Sequence, residues 1–108
     1  MTRIARYGKF VAHDGRAQEL AEILLDAAAK LDADPGCELY LINRQADAPD
    51  VIWVTEIWRS EADLKASLRQ VSGSPEAAAA MRLVRSAEMI ELDLLGGSGL
   101  PAPGPATP

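Results

Sequence analysis

The chain has 108 residues, 48% of them hydrophobic, and a formal net charge of −5. That length builds one domain with a single core and is too short for two. The acidic balance, with a pI near 4.7, argues against nucleic acid or an anionic membrane surface as a partner, since phosphate contacts need a basic patch.

Arg3 to Ala12 reads as a first strand, with Ile4, Arg6, Gly8 and Phe10 alternating against Ala5, Tyr7, Lys9 and Val11. No signal-peptide pattern opens the chain, and no apolar run approaches the ~20 residues of a membrane span, so the expectation is a reduced, cytoplasmic protein. His13-Asp14-Gly15 is a turn with Asp14 a candidate N-cap. From Arg16 to Ala33 the spacing becomes helical: Leu20, Ile23, Leu24, Ala27 and Leu31 form one stripe, and Arg16, Glu19, Glu22, Asp26 and Lys30 are left for solvent. Asp34-Pro35-Gly36 ends this helix.

Cys37 to Gln45 reads as a second strand, with Cys37, Leu39, Leu41 and Asn43 on one face and Glu38, Tyr40, Ile42 and Arg44 on the other. Cys37 is the sole cysteine, which excludes an internal disulfide and any multi-cysteine metal site. A short loop, Ala46 to Asp50, returns the chain as a hairpin. The third strand, Val51 to Ser60, is rich in β-branched and aromatic residues and holds both tryptophans. One face carries Ile52, Val54, Glu56 and Trp58; the other carries Val51, Trp53, Thr55 and Ile57. Both faces are largely apolar, so both call for cover.

Ser60-Glu61-Ala62-Asp63 fits a capping box, opening a helix with Leu64, Leu68 and Val71 on one side. Ser72-Gly73 interrupts it. Ser74-Pro75-Glu76 starts a further helical segment that uses Met81, Leu83 and Val84 as apolar contacts. Ala87 to Leu95 alternates as a fourth strand, with Met89, Glu91 and Asp93 opposite Glu88, Ile90, Leu92 and Leu94. Residues 96–108, rich in proline and glycine, lack the apolar groups to offset the entropy of ordering; residues 1–95 form the domain.

This β-α-β, β-α-β order specifies an α+β, ferredoxin-like split βαβ plan: a four-stranded antiparallel sheet with helices on one face. The other face is left apolar, the signature of an interface, and a two-fold homodimer packed sheet on sheet through Trp53 and Ile57 is expected.

Pro35-Gly36-Cys37-x-x-Tyr40, Ala48-Pro49-Asp50 and Trp53-x-x-Glu56-x-Trp58-Arg59-Ser60-Glu61-x-x-Leu64, in that order, resemble the antibiotic biosynthesis monooxygenase (ABM) family over about residues 3 to 95. The resemblance implies a dimeric ferredoxin-like protein and cofactor-independent oxidation of a quinol, anthrone or similar aromatic. Family members often carry one histidine on the helix after the tryptophan and another in a Ser-Pro-His motif. Here Ser67 and Glu76 stand at those positions, and the only histidine is His13. The haem-degrading relatives need a helix histidine for iron, so no haem is expected.

Triplet oxygen reacts slowly with closed-shell organic molecules. A cofactor-free oxygenase therefore needs an apolar pocket for an electron-rich substrate, a base or hydrogen bonds favouring its anion, and access for oxygen. Glu56 is the candidate base and Trp58 the candidate pocket wall. A carboxylate among apolar groups has a raised pKa, which suits proton transfer near neutrality. Arg82 and Arg85, placed on the last helix, are candidates to hold a substrate anion or to pair with Glu56 structurally. Asn43 and Tyr40 are candidate substrate contacts; which side they reach depends on strand register. A metal site is not expected. A non-catalytic binding module or structural dimer of the same fold is the alternative.

Overall fold

A computed structural model describes residues 2–99. The elements run β1 (Ile4–Ala12), α1 (Ala17–Leu31), β2 (Cys37–Arg44), β3 (Val51–Trp58), α2 (Glu61–Val71), α3 (Pro75–Leu83) and β4 (Val84–Asp93). The four strands form one antiparallel sheet in the order β2-β3-β1-β4. This is the ferredoxin-like plan. Of the tail, residues 100–108 lie outside the described residues, and 96–99 form neither helix nor strand.

Burial along β3 alternates strictly. Ile52, Val54, Glu56 and Trp58 are buried under the helices, and Val51, Trp53, Thr55 and Ile57 are only half-buried. On the open face lie Tyr7, Leu41, Ile90 and Leu92, each 42–58% exposed, and Lys9 Nζ stands 5.7 Å from the Trp53 ring centre.

Both expected serine caps form. Ser60 accepts from Asp63 N at 3.2 Å and donates back to Asp63 Oδ2 at 2.8 Å, while Ser74 accepts from Ala77 N at 3.1 Å. Asp14 does not cap α1. Gly15, with φ +74°, lets the chain turn so that Arg16 takes the cap position without a side-chain cap bond. Asp14 is left in solvent, 3.9 Å from Arg85.

The last strand starts three residues earlier than the alternation predicts. Val84 leaves α3 in an extended conformation and pairs at once with Ala12, with a register shift between Val11 and Ala12. Arg85 is therefore on a strand, not on a helix. Met81, expected to pack inward, is 58% exposed, whereas Leu83 is buried. A second register shift, between Cys37 and Leu39, sets Cys37 opposite Trp58 and Leu39 opposite Ile57. Cys37 and Leu39 thus do not share the simple alternation expected of them. Gly36 docks the preceding loop on α2: a Cβ there would meet Asp63 Cβ at 2.5 Å, and Arg59 N donates to Gly36 O at 2.9 Å.

The core is off-centre. Ala12, Ala17, Leu20, Ala21, Ile52 and Leu83 pack together, with Phe10, Ile42 and Val84 at their margin. This cluster joins the first half of α1 and the end of α3 to the sheet. Farther along the α1 stripe, Ala27 and Leu31 face a cavity, and Ile23 touches both the core and the cavity.

Candidate active site

The register that closes the sheet also aligns polar side chains. Tyr40 pairs with Glu56, Glu56 with Arg6, and Arg6 with Glu91. In an antiparallel sheet directly opposed residues share a face, so these side chains form a row from β2 to β4 beneath the helices. Glu56 is buried at 4% exposure. Trp58, two residues along the same face, donates its indole Nε1–H to Glu56 Oε1 at 2.8 Å.

The row opens into a cavity of about 1000 Å³ between the sheet and the helices. Its sheet side presents Arg6, Tyr40, Glu56 and Trp58, and its helix side presents Ile23, Ser67, Val71 and Glu76. Ser67 is buried, and Leu68 and Val71 are half exposed at the mouth. A cavity of this size, mostly apolar with a few convergent polar groups, is the usual form of a small-molecule site.

Electrostatics follow from burial. Desolvation pushes the Glu56 carboxyl above the ordinary carboxylate value; the Trp58 hydrogen bond and the Arg6 charge oppose the rise, and Glu91 adds to it. The Tyr40 phenol is pushed up to about 12, first by burial and then by Glu56. Cys37 is pushed up to about 11, again chiefly by burial, so its thiol is a poor nucleophile.

Of the residues singled out in the sequence, Glu56, Trp58 and Tyr40 converge on the cavity. Asn43 does not. It lies opposite Trp53 on the open face, where its side-chain amide donates to Trp53 O at 3.3 Å and Thr55 Oγ1 at 3.4 Å. Arg82 and Arg85 are exposed and lie outside the cavity lining. Neither pairs with Glu56, because α3 directs Arg82 outward and Arg85 is carried away on β4. The cation beside Glu56 is Arg6, with Nη1 at 3.7 Å from Oε1. A signal for it existed: Arg6 is in phase with Ile4, Gly8 and Phe10, so it is a charge on the inward face. Ser67 and Glu76, at the two positions where the family pattern carries histidine, both reach the cavity. Among the described residues, no group of three or more His, Cys, Asp or Glu is placed to hold a metal ion.

These features define a small ferredoxin-like protein with a cavity under its helices. The sequence profile of the antibiotic biosynthesis monooxygenase family matches residues 3–83. A protein of Chloroflexus aurantiacus J-10-fl named for that family is 32% identical, with a TM-score of 0.80 over 92% of this chain and 99% of that one. One from Caulobacter crescentus CB15, also named for the family, is 24% identical, with a TM-score of 0.77 over 88% and 92%. SnoaB, a cofactor-independent oxygenase from Streptomyces nogalater, is 19% identical, with a TM-score of 0.77 over 89% and 96%; at that identity the likeness is one of fold. A search of curated proteins finds no match. The chain belongs to the antibiotic biosynthesis monooxygenase family.

Proposed function

We propose that this protein is a cofactor-independent monooxygenase acting on a quinol, an anthrone or a similarly electron-rich aromatic. The observation that carries the reading is a buried carboxylate, Glu56, set by the Trp58 indole at the wall of a cavity of about 1000 Å³. Glu56 serves as general base, and Trp58 walls the substrate and orients the carboxylate. Tyr40, at the same row, bounds the substrate on the β2 side. Oxygen binds beside the substrate in the apolar part of the cavity and takes electrons from its anion. The fold shared with SnoaB supports this chemistry as one the scaffold hosts.

Oxygen uptake with a panel of quinols and anthrones tests the reading. Uptake with at least one of them is expected. Uptake unaffected by Glu56→Gln combined with Trp58→Phe would remove the site from this strand. A second reading, a binding module without turnover, is favoured by Ser67 and Glu76 in place of the family's histidines; a bound aromatic with no oxygen consumed would establish it.

The working unit is proposed to be a homodimer. Tyr7, Leu41, Ile90 and Leu92 form an exposed apolar surface on the helix-free face, with Trp53 and Ile57 among them. A second copy covers it by two-fold symmetry. Sedimentation showing only an 11.5 kDa species would refute this.

A further inference from the structure

Three arginines meet carboxylates in different ways. Arg3 grips Glu38 through two nitrogens, at 2.7 and 3.1 Å. Arg59 grips Asp63 likewise, at 2.8 and 3.0 Å. Both pairs are the two-point forks that guanidinium and carboxylate commonly form. Arg6 is the most buried of the three, with its side chain only 11% exposed, yet it is the least satisfied. Its Nη1 stands 3.7 Å from Glu56 Oε1 and its Nε 3.8 Å from Glu91 Oε1. The Nε is buried without a hydrogen-bond partner. A buried donor left open is uncommon enough to need a reason, and the Arg6 side chain lines the cavity.

We infer that Arg6 is the oxyanion-holding residue of the cavity, and that the cavity takes phenols or enols which bind as their anions. This rests on the cavity being the substrate site, as proposed above. The geometry suits it. An oxygen about 2.8 Å from a guanidinium nitrogen and about 2.8 Å from a carboxylate oxygen can bridge a gap of 3.7 Å. A substrate hydroxyl at that point gives its proton to the Glu56 carboxylate. The O–H bond breaks, its electron pair stays on the substrate oxygen, and a new O–H forms on Glu56. The resulting anion stays against the guanidinium. Glu91 on β4 lies beside Arg6, and the other charged groups lining the cavity are Asp26 and Lys30 on α1, Asp34 in the loop after it and Glu76 on α3, with the Tyr40 phenol on β2. Arg6 is the cation on the sheet side of this set.

Alizarin, a hydroxyanthraquinone whose colour reports ionisation and which needs no turnover, tests the inference by spectrophotometric pH titration with the full chain. The bound dye should ionise more readily than the free dye, its acid constant raised about tenfold or more, as a cation within contact distance requires. Arg6→Met should abolish that rise, and Arg6→Lys should keep part of it. Should Arg6→Met fail to fold with Glu56 left uncompensated, the double variant Arg6→Met/Glu56→Gln, which removes both charges, gives the same reading. Ala79→Trp, which fills the cavity from α3, should abolish binding. No saturable binding, no rise on binding, a rise that survives Arg6→Met or the double variant, or binding that survives Ala79→Trp would each overturn the inference. Failure here leaves Glu56 and the oxygenase reading standing. Absence of oxygen uptake would leave the dye result standing.

Discussion

The space between sheet and helices has a closed end and an open end, built from the same strands. At the closed end Ala12, Leu20, Ile52 and Leu83 pack into a core. At the open end the same faces of β1 and β3 present Arg6, Glu56 and Trp58, and the helices stand off by a cavity. Both ends obey the two-residue period of a strand. They differ in what occupies the inward positions. Apolar side chains draw a helix down until the void closes. A carboxylate and a guanidinium need polar partners or water, so a helix with an apolar stripe gains little by collapsing on them. The close-packed cluster thus lies at one end and the buried polar row at the other.

The largest test of that division is on chemistry. Glu56→Gln should lower oxygen uptake by about 10²–10⁴-fold, the usual worth of a positioned base, while circular dichroism shows the fold retained. Next, Leu20→Ala at the closed end should cost about 3 kcal/mol in urea unfolding. Leu68→Ala at the cavity mouth, where the side chain is 40% exposed, should cost less than about 1 kcal/mol, since little burial is lost. Equal costs would mean that the two ends are packed alike. Gly36→Ala should cost about 1–3 kcal/mol by overpacking, because the new Cβ meets Asp63 side-chain atoms at 2.5–2.9 Å; an unchanged unfolding midpoint would show that α2 yields freely.

The smallest expected effect is on pH. Burial raises the Glu56 pKa above its ordinary 4.5, so the native state holds this proton more tightly than the unfolded chain does. Stability from this group is fully present below 4.5 and is lost as pH rises through the raised native value. Glu56→Gln should flatten that part of the stability–pH curve, as measured by unfolding midpoints from pH 4 to 8. An identical slope in the variant would place the titration on another group.

Much of this was legible locally. Ser60 and Ser74 announced their helices, and β3 announced its two faces, because capping and strand alternation involve only near neighbours in the chain. The failures were also physical. Asp14 looked like a cap, but Gly15 turns the chain and passes that position to Arg16. Arg85 looked helical because the alanine run before it favours helix, yet pairing of Val84 with Ala12 pulls it into the sheet. Asn43 could be assigned a strand but not a side of the molecule without knowing which face the helices cover.

The sequence by itself determined the element order, the inward set of Ile52, Val54, Glu56 and Trp58, and the surplus of apolar surface on the opposite face. These rest on period and composition, which are properties of short stretches. Only the tertiary structure decided that Arg6, fifty residues away in the chain, is the cation beside Glu56, and that Arg82 and Arg85 are not. Strand pairing is a long-range choice, made by burial of whole faces, and no local pattern in β1 or β3 names its partner.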